Sequence, residues 1–317
     1  MNIEDLPDLV ERSFEAVAEV EVWDGGERLG GGTGFLADIE DDDSDTSDLL
    51  MTNAHVAKGG PELKVFFKDG RESSGKLVGI HPMVDIALFR LDEPRSNTLG
   101  LRGKDEFRLG EFAVALGHPQ RFSWTVTAGL ISGLDRPFFQ DNSGLPITML
   151  QTSAEINFGN SGGPLVGLDG RVIGVNTSGI TRKDSMFKVD FAIPAYSARL
   201  AAIAIVDAAD ADHVPRAWTG LPIDPTPWRA PQDVVASHGV KGGAKVDGNP
   251  KDGTPASEAG LRDGDIVIGI EEREVDDPGD VFTWMLDPAC LDREFELRFI
   301  RDGEVETTKM KAVDRDS

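Results

Sequence analysis

Cysteine is almost absent from this chain. Cys290 stands alone among 317 residues, so no internal disulfide can form and the core must carry stability unaided. Basic residues are also scarce: 32 Lys and Arg face 56 Asp and Glu, a formal net charge of −24. Such a surface repels phosphate backbones and anionic headgroups, which sets nucleic acid and acidic membrane faces aside as partners. The same acid excess suits a high-salt milieu or simply serves solubility. Long apolar runs are missing too. The run from Leu200 to Val206 stops at Asp207, well short of the ~20 residues of a spanning helix. The start, Met1-Asn2-Ile3-Glu4-Asp5, is acidic and shows no signal-peptide core. The chain as written is therefore expected in the cytoplasm, or outside it if a leader was removed. No G-x-x-x-x-G-K-[ST] loop occurs, so ATP hydrolysis is not expected. No histidine pair has metal-ligand spacing. His81, His118, His213 and His238 read as turn or surface residues, and no metal or other cofactor is expected.

Short apolar runs dominate what is present. Leu6 to Phe14 has helical spacing, and a strand follows at Ala16 to Val22. Leu29 to Leu36 is glycine-dense around Thr33 and reads as a bulged strand passing close to an active site, or as a hairpin arm. Asp38 to Asp48 is acidic but lacks calcium-loop spacing, so it reads as a solvated loop. Further strands are expected from Leu49 to Leu91, at Phe112–Gly117, Thr125–Ile131, Ile147–Gln151, Leu165–Val166, Val172–Asn176 and Val189–Ile193, with a helix from Pro194 to Val206. Many short strands with glycine-rich turns point to an all-β barrel or sandwich. Prolines then accumulate to Trp228. Beyond them, the Asp263-Gly264-Asp265 turn feeds a strand, Asp280–Leu286 is a short amphipathic helix, and Glu294–Arg301 and Glu304–Lys311 form a hairpin through Asp302-Gly303. This gives residues 1–206 as one domain, 207–214 as a linker and 215–313 as a small α+β module. Cys290 reads as a buried small hydrophobe. Trp124 and the Phe138-Phe139 pair are assigned to packing near loops.

Chemistry concentrates in Gly159-Asn160-Ser161-Gly162-Gly163-Pro164-Leu165. Small residues around a hydroxyl let a substrate approach the backbone closely, and amides at Gly159, Asn160 and Ser161 can hold a developing oxyanion. A serine hydroxyl is a weak nucleophile without a base and a carboxylate to orient that base. His55, in Thr52-Asn53-Ala54-His55-Val56, and Asp85, in Asp85-Ile86-Ala87-Leu88, supply both. Their order along the chain is that of chymotrypsin.

These motifs, with Phe191-Ala192-Ile193-Pro194, resemble the HtrA/Deg serine proteases, and the tail around Ala256 to Ile270 looks like their PDZ domain. The resemblance implies a mainly β fold, a chymotrypsin-like double β-barrel followed by the small α+β PDZ domain. It implies an ATP-independent serine endopeptidase that cleaves unfolded or misfolded polypeptides through His55, Asp85 and Ser161. A catalytically idle chaperone or PDZ adaptor is the alternative. Asn160, just before the serine, cannot pair with a freed N-terminus, so activation by N-terminal cleavage is not expected. A switch between inactive and active states is expected in the loop around Asn157 to Asn160. Glu155 sits where trypsin-like enzymes place an acid for basic P1 side chains. Ile156 and Ile180 suit the family's aliphatic pocket, and apolar P1 residues are favoured. Thr219-Gly220-Leu221 matches the loop that captures peptide C-termini, although Pro222 removes one donor. A homo-oligomer, a trimer through N-terminal residues around Phe14, is the family expectation.

Overall fold

The computed structural model describes residues 5–40, 46–58, 60–81, 83–118, 124–138, 147–180, 189–208 and 214–315. Two compact units are present: residues 1–136 with 149–214, and residues 137–148 with 215–317.

The first unit opens with helix α1 (Leu6–Phe14), started by a proline in its first turn, with Leu9 and Phe14 turned inward. Strands β1 (Val17–Asp24) and β2 (Glu27–Asp38) follow as a hairpin. Its two-residue turn is Gly25-Gly26, both at positive φ, which matches the right-handed twist of the flanking strands. β3 (Thr46–Asn53), a four-residue helix α2 (Ala54–Ala57), β4 (Glu62–Phe67), β5 (Glu72–His81) and β6 (Ile86–Ser96) complete the set. The strands run β1-β4-β5-β6-β3-β2, and β2 returns to β1, closing a six-stranded barrel; β7 (Leu99–Gly100) adds beside β2. The register places Val20, Val22, Leu36, Leu50, Val65 and Phe89 on one face of this sheet, all buried.

A second closed barrel holds β8 (Phe112–Gly117), β9 (Thr125–Phe138), β10 (Ile147–Thr152), β11 (Pro164–Gly167), β12 (Val172–Ile180) and β13 (Val189–Pro194), in the order β10-β13-β12-β11-β8-β9. Ala113, Ala115, Ile131, Leu150, Leu165 and Ile173 form its core. Full closure leaves neither barrel an open edge. Helix α3 (Ala195–Asp207) packs on β5, β6, β12 and β13.

The second unit carries two-stranded pairing of β14 (Ala217–Trp218) with β21 (Val313–Asp314), and a sheet built on β15 (Trp228–Arg229), β16 (Gly242–Lys245), β17 (Ile266–Ile270), β19 (Glu294–Arg301) and β20 (Glu304–Lys311), with β18 (Arg273–Glu274) beside β17. The β19–β20 turn is Asp302-Gly303, again both at positive φ. Helices are α4 (Gln232–His238), α5 (Pro255–Glu258) and α6 (Pro278–Leu286). Helix α4, which no sequence pattern predicts, begins directly after Pro231. A capping box of Asp277 and Asp280 starts α6. Asp265 is buried but doubly bonded by Arg301, at 2.8 and 2.7 Å, which offsets the cost of taking its charge out of water.

No helix among the described residues is long and apolar enough to cross a membrane.

Candidate active site

His55 rides on α2, directly after β3. Asn53 ends that strand, and its Nδ2 donates to the backbone carbonyl of Asp85 at 3.0 Å, as does the Ala54 N–H. Asp85 opens β6 at φ +59, in a left-handed conformation that Asp tolerates better than most residues. This turns its carboxylate back on α2. One oxygen accepts the His55 backbone N–H at 2.8 Å. The other lies 2.7 Å from His55 Nδ1 and 3.3 Å from Thr177 Oγ1. Ring position and tautomer are thus set together: Nδ1 carries the proton and Nε2 is left as an acceptor. The His55 side chain keeps 38 % of its surface exposed, whereas that of Asp85 keeps 10 %.

Ser161 comes from the second barrel, just before β11. Its loop is stitched onto the first barrel through Thr33: the Thr33 N–H donates to the Ser161 carbonyl at 3.0 Å, and Thr33 Oγ1 donates to the Gly159 carbonyl at 2.6 Å. A Cβ on Gly32 would lie 2.9 Å from the Ser161 oxygen, and one on Gly162 would lie 2.2 Å from Thr52 Oγ1. Glycine at both places is therefore what lets the serine loop close on the strand that leads to His55. Gly162 also sits at φ +83. Asn176 holds the far side, accepting from the Gly162 N–H and donating its own N–H to Gly163.

One loop peptide is fixed at both ends and the next at its carbonyl alone. The Gly159–Asn160 plane is held by Thr33 Oγ1 on its oxygen and by the Asn157 carbonyl on its N–H, at 3.0 Å. The Asn160 carbonyl accepts from the Gly163 N–H at 2.9 Å. Among the described residues, neither the Gly159 nor the Ser161 N–H has an acceptor within the chain. Two free donors beside a hydroxyl suit an oxyanion. The Asn160 N–H is spent on Asn157, and its side chain is fully buried with neither amide atom paired.

The expected pocket residues fall in different settings. Glu155 is exposed; its carboxylate accepts from Asn157 Nδ2 at 3.0 Å and its carbonyl from Thr127 Oγ1 at 2.6 Å. Ile156 is buried in the second-barrel core. Ile180 ends β12, paired with Val189, and its side chain lies outside the described residues. Phe158, not singled out from sequence, is 76 % exposed.

In the second unit, Gly220 sits at φ +72 with the Thr254 side chain where a Cβ would go. Thr219 and Leu221 are buried on either side. The Thr219 carbonyl accepts from the Ala256 N–H at 2.9 Å, and Leu221 N–H reaches Thr219 Oγ1 at 3.5 Å.

Two histidines correct the surface assignment. His81 and His118 are buried, at 3 % and 6 % exposure. His118 stacks edge-on to Trp124, which in turn meets Phe14. Burial pushes its pKa down to about 4. His213 and Phe139 lie outside the described residues. His238 is exposed, as expected, and its Nε2 lies 3.2 Å from the Gly303 carbonyl. Cys290 is buried, as expected. Among the described residues, no His, Cys, Asp and Glu cluster could hold a metal.

Sequence reasoning missed Thr33, Asn53, Asn176 and Thr177. Only Thr33 carried a signal, as the one polar side chain inside a run of glycines.

Comparisons with known proteins agree with this arrangement. Residues 32–175 match the trypsin-like peptidase domain and residues 233–312 the PDZ domain. A probable periplasmic serine endoprotease DegP-like from Halomonas elongata is 34 % identical over 282 residues, covering 88 % of this chain and 55 % of the relative. A serine protease Do-like HtrA from Bacillus subtilis is 30 % identical, covering 83 % and 60 %. The chain thus spans little more than half the length of these curated relatives. The solved structure of HtrA-type protease AlgW with tripeptide superposes with a TM-score of 0.75 at 27 % identity, covering 98 % of this chain and 97 % of that one. With two closed barrels, a trypsin-like peptidase match and a PDZ match in that order, the chain belongs to the HtrA/Deg serine protease family.

Proposed function

We propose that this chain is an ATP-independent serine endopeptidase that cleaves unfolded or misfolded polypeptides. The observation that carries the reading is the double clamp of Asp85 on His55, through ring and backbone, in a site where Ser161 is flanked by free amides. His55 Nε2 takes the Ser161 proton as Oγ attacks the peptide carbonyl. The tetrahedral oxyanion accepts from the Gly159 and Ser161 N–H groups. The imidazolium, stabilised by Asp85, then protonates the departing amine, leaving an acyl ester on Ser161. Water, deprotonated by His55, releases the second product and restores the serine.

Glu155, Ile156 and Ile180 are assigned to the pocket side, with apolar P1 residues preferred. Thr219, Gly220 and Leu221 are assigned to peptide C-termini, where backbone donors would meet the carboxylate. The Gly220 N–H has no acceptor among the described residues, which supports that role, while Pro222 offers none. Assembly as a homo-oligomer is part of the same reading. The Halomonas elongata relative is named periplasmic, which supports an extracytoplasmic site of action.

The test is active-site labelling. A fluorophosphonate should mark the wild type and leave Ser161→Ala unmarked, and casein should be degraded by the first alone. Equal handling of casein by both would leave a binding protein as the better account.

A further inference from the structure

Thr33 lies in the glycine-dense stretch of β2, outside the triad and the oxyanion donors, yet it bonds the nucleophile loop twice, through its N–H and through its hydroxyl. It is fully buried, and all of its polar atoms are used. Its N–H donates to the Ser161 carbonyl at 3.0 Å. Its carbonyl accepts from Thr52 Oγ1 at 2.7 Å. Its hydroxyl donates to the Gly159 carbonyl at 2.6 Å and accepts from the His118 N–H at 3.0 Å.

The two oxyanion donors differ in how they are aimed. The Ser161 N–H shares a peptide plane with the Asn160 carbonyl, which Gly163 holds at 2.9 Å. A planar trans amide fixes one end when the other is fixed, so this donor is aimed by the loop itself. The Gly159 N–H shares its plane with the Phe158 carbonyl, which has no bond among the described residues. Its direction therefore depends on the next plane, Gly159–Asn160. That plane is pinned on its oxygen side by the Thr33 hydroxyl, and Gly159, at φ +106, has no side chain to resist rotation.

We infer that Thr33 is a positioning residue that aims the Gly159 N–H at the oxyanion through its hydroxyl bond to the Gly159 carbonyl. Without that hydroxyl, the plane is held only by the Asn160 N–H, and the donor loses its direction. The effect falls on the transition state, because the donor bonds most strongly when charge has moved onto oxygen. This inference rests on the endopeptidase reading.

Wild type, Thr33→Val and Thr33→Ser are compared by kcat and KM on a quenched-fluorescence peptide and by Ki for a peptide aldehyde, whose hemiacetal mimics the oxyanion. Valine keeps the shape and removes the hydroxyl; serine keeps the hydroxyl and removes the methyl. Loss of a whole oxyanion donor costs ~10²–10³-fold in kcat, so misaiming one is expected to cost ~10–100-fold in Thr33→Val. KM should stay within about threefold, the aldehyde should weaken in parallel, and Thr33→Ser should stay within about threefold of wild-type kcat. A Thr33→Val enzyme with wild-type kcat overturns the inference, as does a loss confined to KM or a Thr33→Ser enzyme as impaired as Thr33→Val. Should Thr33→Val not fold, Thr33→Ala is read by the same criteria, and Thr33→Ser must still retain kcat. An active wild type with an unaffected valine variant removes the Thr33 role alone. A wild type that neither labels with fluorophosphonate nor cleaves casein removes the endopeptidase reading and this one with it.

Discussion

Replacing Asp85 with asparagine changes one atom and tests the whole arrangement. The carboxylate accepts three hydrogen bonds: from the His55 N–H at 2.8 Å, from His55 Nδ1 at 2.7 Å and from Thr177 Oγ1 at 3.3 Å. An amide has one accepting and one donating end, so it cannot satisfy both His55 donors. If its NH2 faces the backbone, two donors meet, and a buried unpaired donor costs roughly 1–3 kcal/mol. If its NH2 faces the ring, the conflict disappears once the ring moves its proton from Nδ1 to Nε2. A backbone amide cannot make that adjustment and an imidazole can, so the second arrangement is favoured. Nε2 then holds the proton that should come from Ser161, and the base is lost. In a related triad the same exchange costs ~10⁴-fold in kcat, or about 5 kcal/mol of barrier. The expected result for Asp85→Asn is a loss of that order in kcat and in fluorophosphonate labelling rate, with little change in KM and an unchanged near-UV circular dichroism spectrum. A folded variant retaining kcat within about tenfold of wild type would refute the tautomer argument and with it the assignment of His55 as base.

Four other perturbations follow from the packing. His118 is neutral when buried, with its pKa near 4 against an ordinary 6.5. The unfolded chain therefore takes up a proton that the native state refuses, and stability should fall by roughly 3 kcal/mol as pH drops from about 6.5 to 4. Urea unfolding across that range measures it, and His118→Gln should flatten the slope; an unchanged slope contradicts the account. Gly162→Ala places a Cβ 2.2 Å from Thr52 Oγ1 and 2.3 Å from the Thr33 carbonyl at φ +83, so a loss of about 3 kcal/mol or more is expected in Tm or urea midpoint. Arg102, with only 9 % of its side chain exposed, bonds Asp169 twice and Glu111 at 2.7 Å; Arg102→Met should destabilise by about 3 kcal/mol, and Glu111→Gln in that background should recover part of it in the same unfolding assay. Burial, reinforced by the Asp287 charge, pushes the Cys290 thiol up to about 12, so an aromatic disulfide reagent should find no thiol in native protein at pH 8 and one after unfolding.

The fold was largely legible because its signals are local. Alternation along β1 and the Asp302-Gly303 hairpin each follow from neighbouring residues. The pairing of β1 with β4, which together with the local β1–β2 hairpin closes the first barrel, joins residues too far apart for any window to register. Helix α4 was hidden for the opposite reason. Its seven residues are too few for a clear period, and the prolines before it read only as barriers to a helix interior. At the site, His55, Asp85 and Ser161 each sit in their own spaced motif, which is what a sequence can display. Their supports do not: Asn53 acts on the backbone of Asp85, and Thr177 reaches its carboxylate from 92 positions away. His118 was misjudged because a histidine next to a glycine and a proline looks like a turn. What buries it is Trp124, itself packed against Phe14 of the N-terminal helix.

The site divides into a half that the barrels hold and a half that one peptide controls. The His55–Asp85 pair is fixed by strand ends: Asn53 closes β3, Asp85 opens β6, and the bonds between them tie two neighbouring strands of one closed sheet. Moving that pair means opening a barrel. Ser161 is likewise held, by Thr33 on one flank and Asn176 on the other. The Phe158–Gly159 peptide has no bond of its own among the described residues and is aimed only through the Thr33 hold on the next peptide, and Phe158 leaves 76 % of its surface to solvent. Rotation of a single unbonded peptide beside a glycine breaks no strand pairing, yet it removes one of the two oxyanion donors and so costs ~10²–10³-fold in rate. The Phe158–Gly159 peptide is therefore where a donor is lost at least cost to the packing around His55 and Asp85. That makes Phe158→Ala a discriminating variant. It should leave fluorophosphonate labelling of Ser161 measurable and the fold intact, while shifting the kcat ratio between short peptides and denatured casein. An unchanged ratio would show that the ring plays no part in setting the loop.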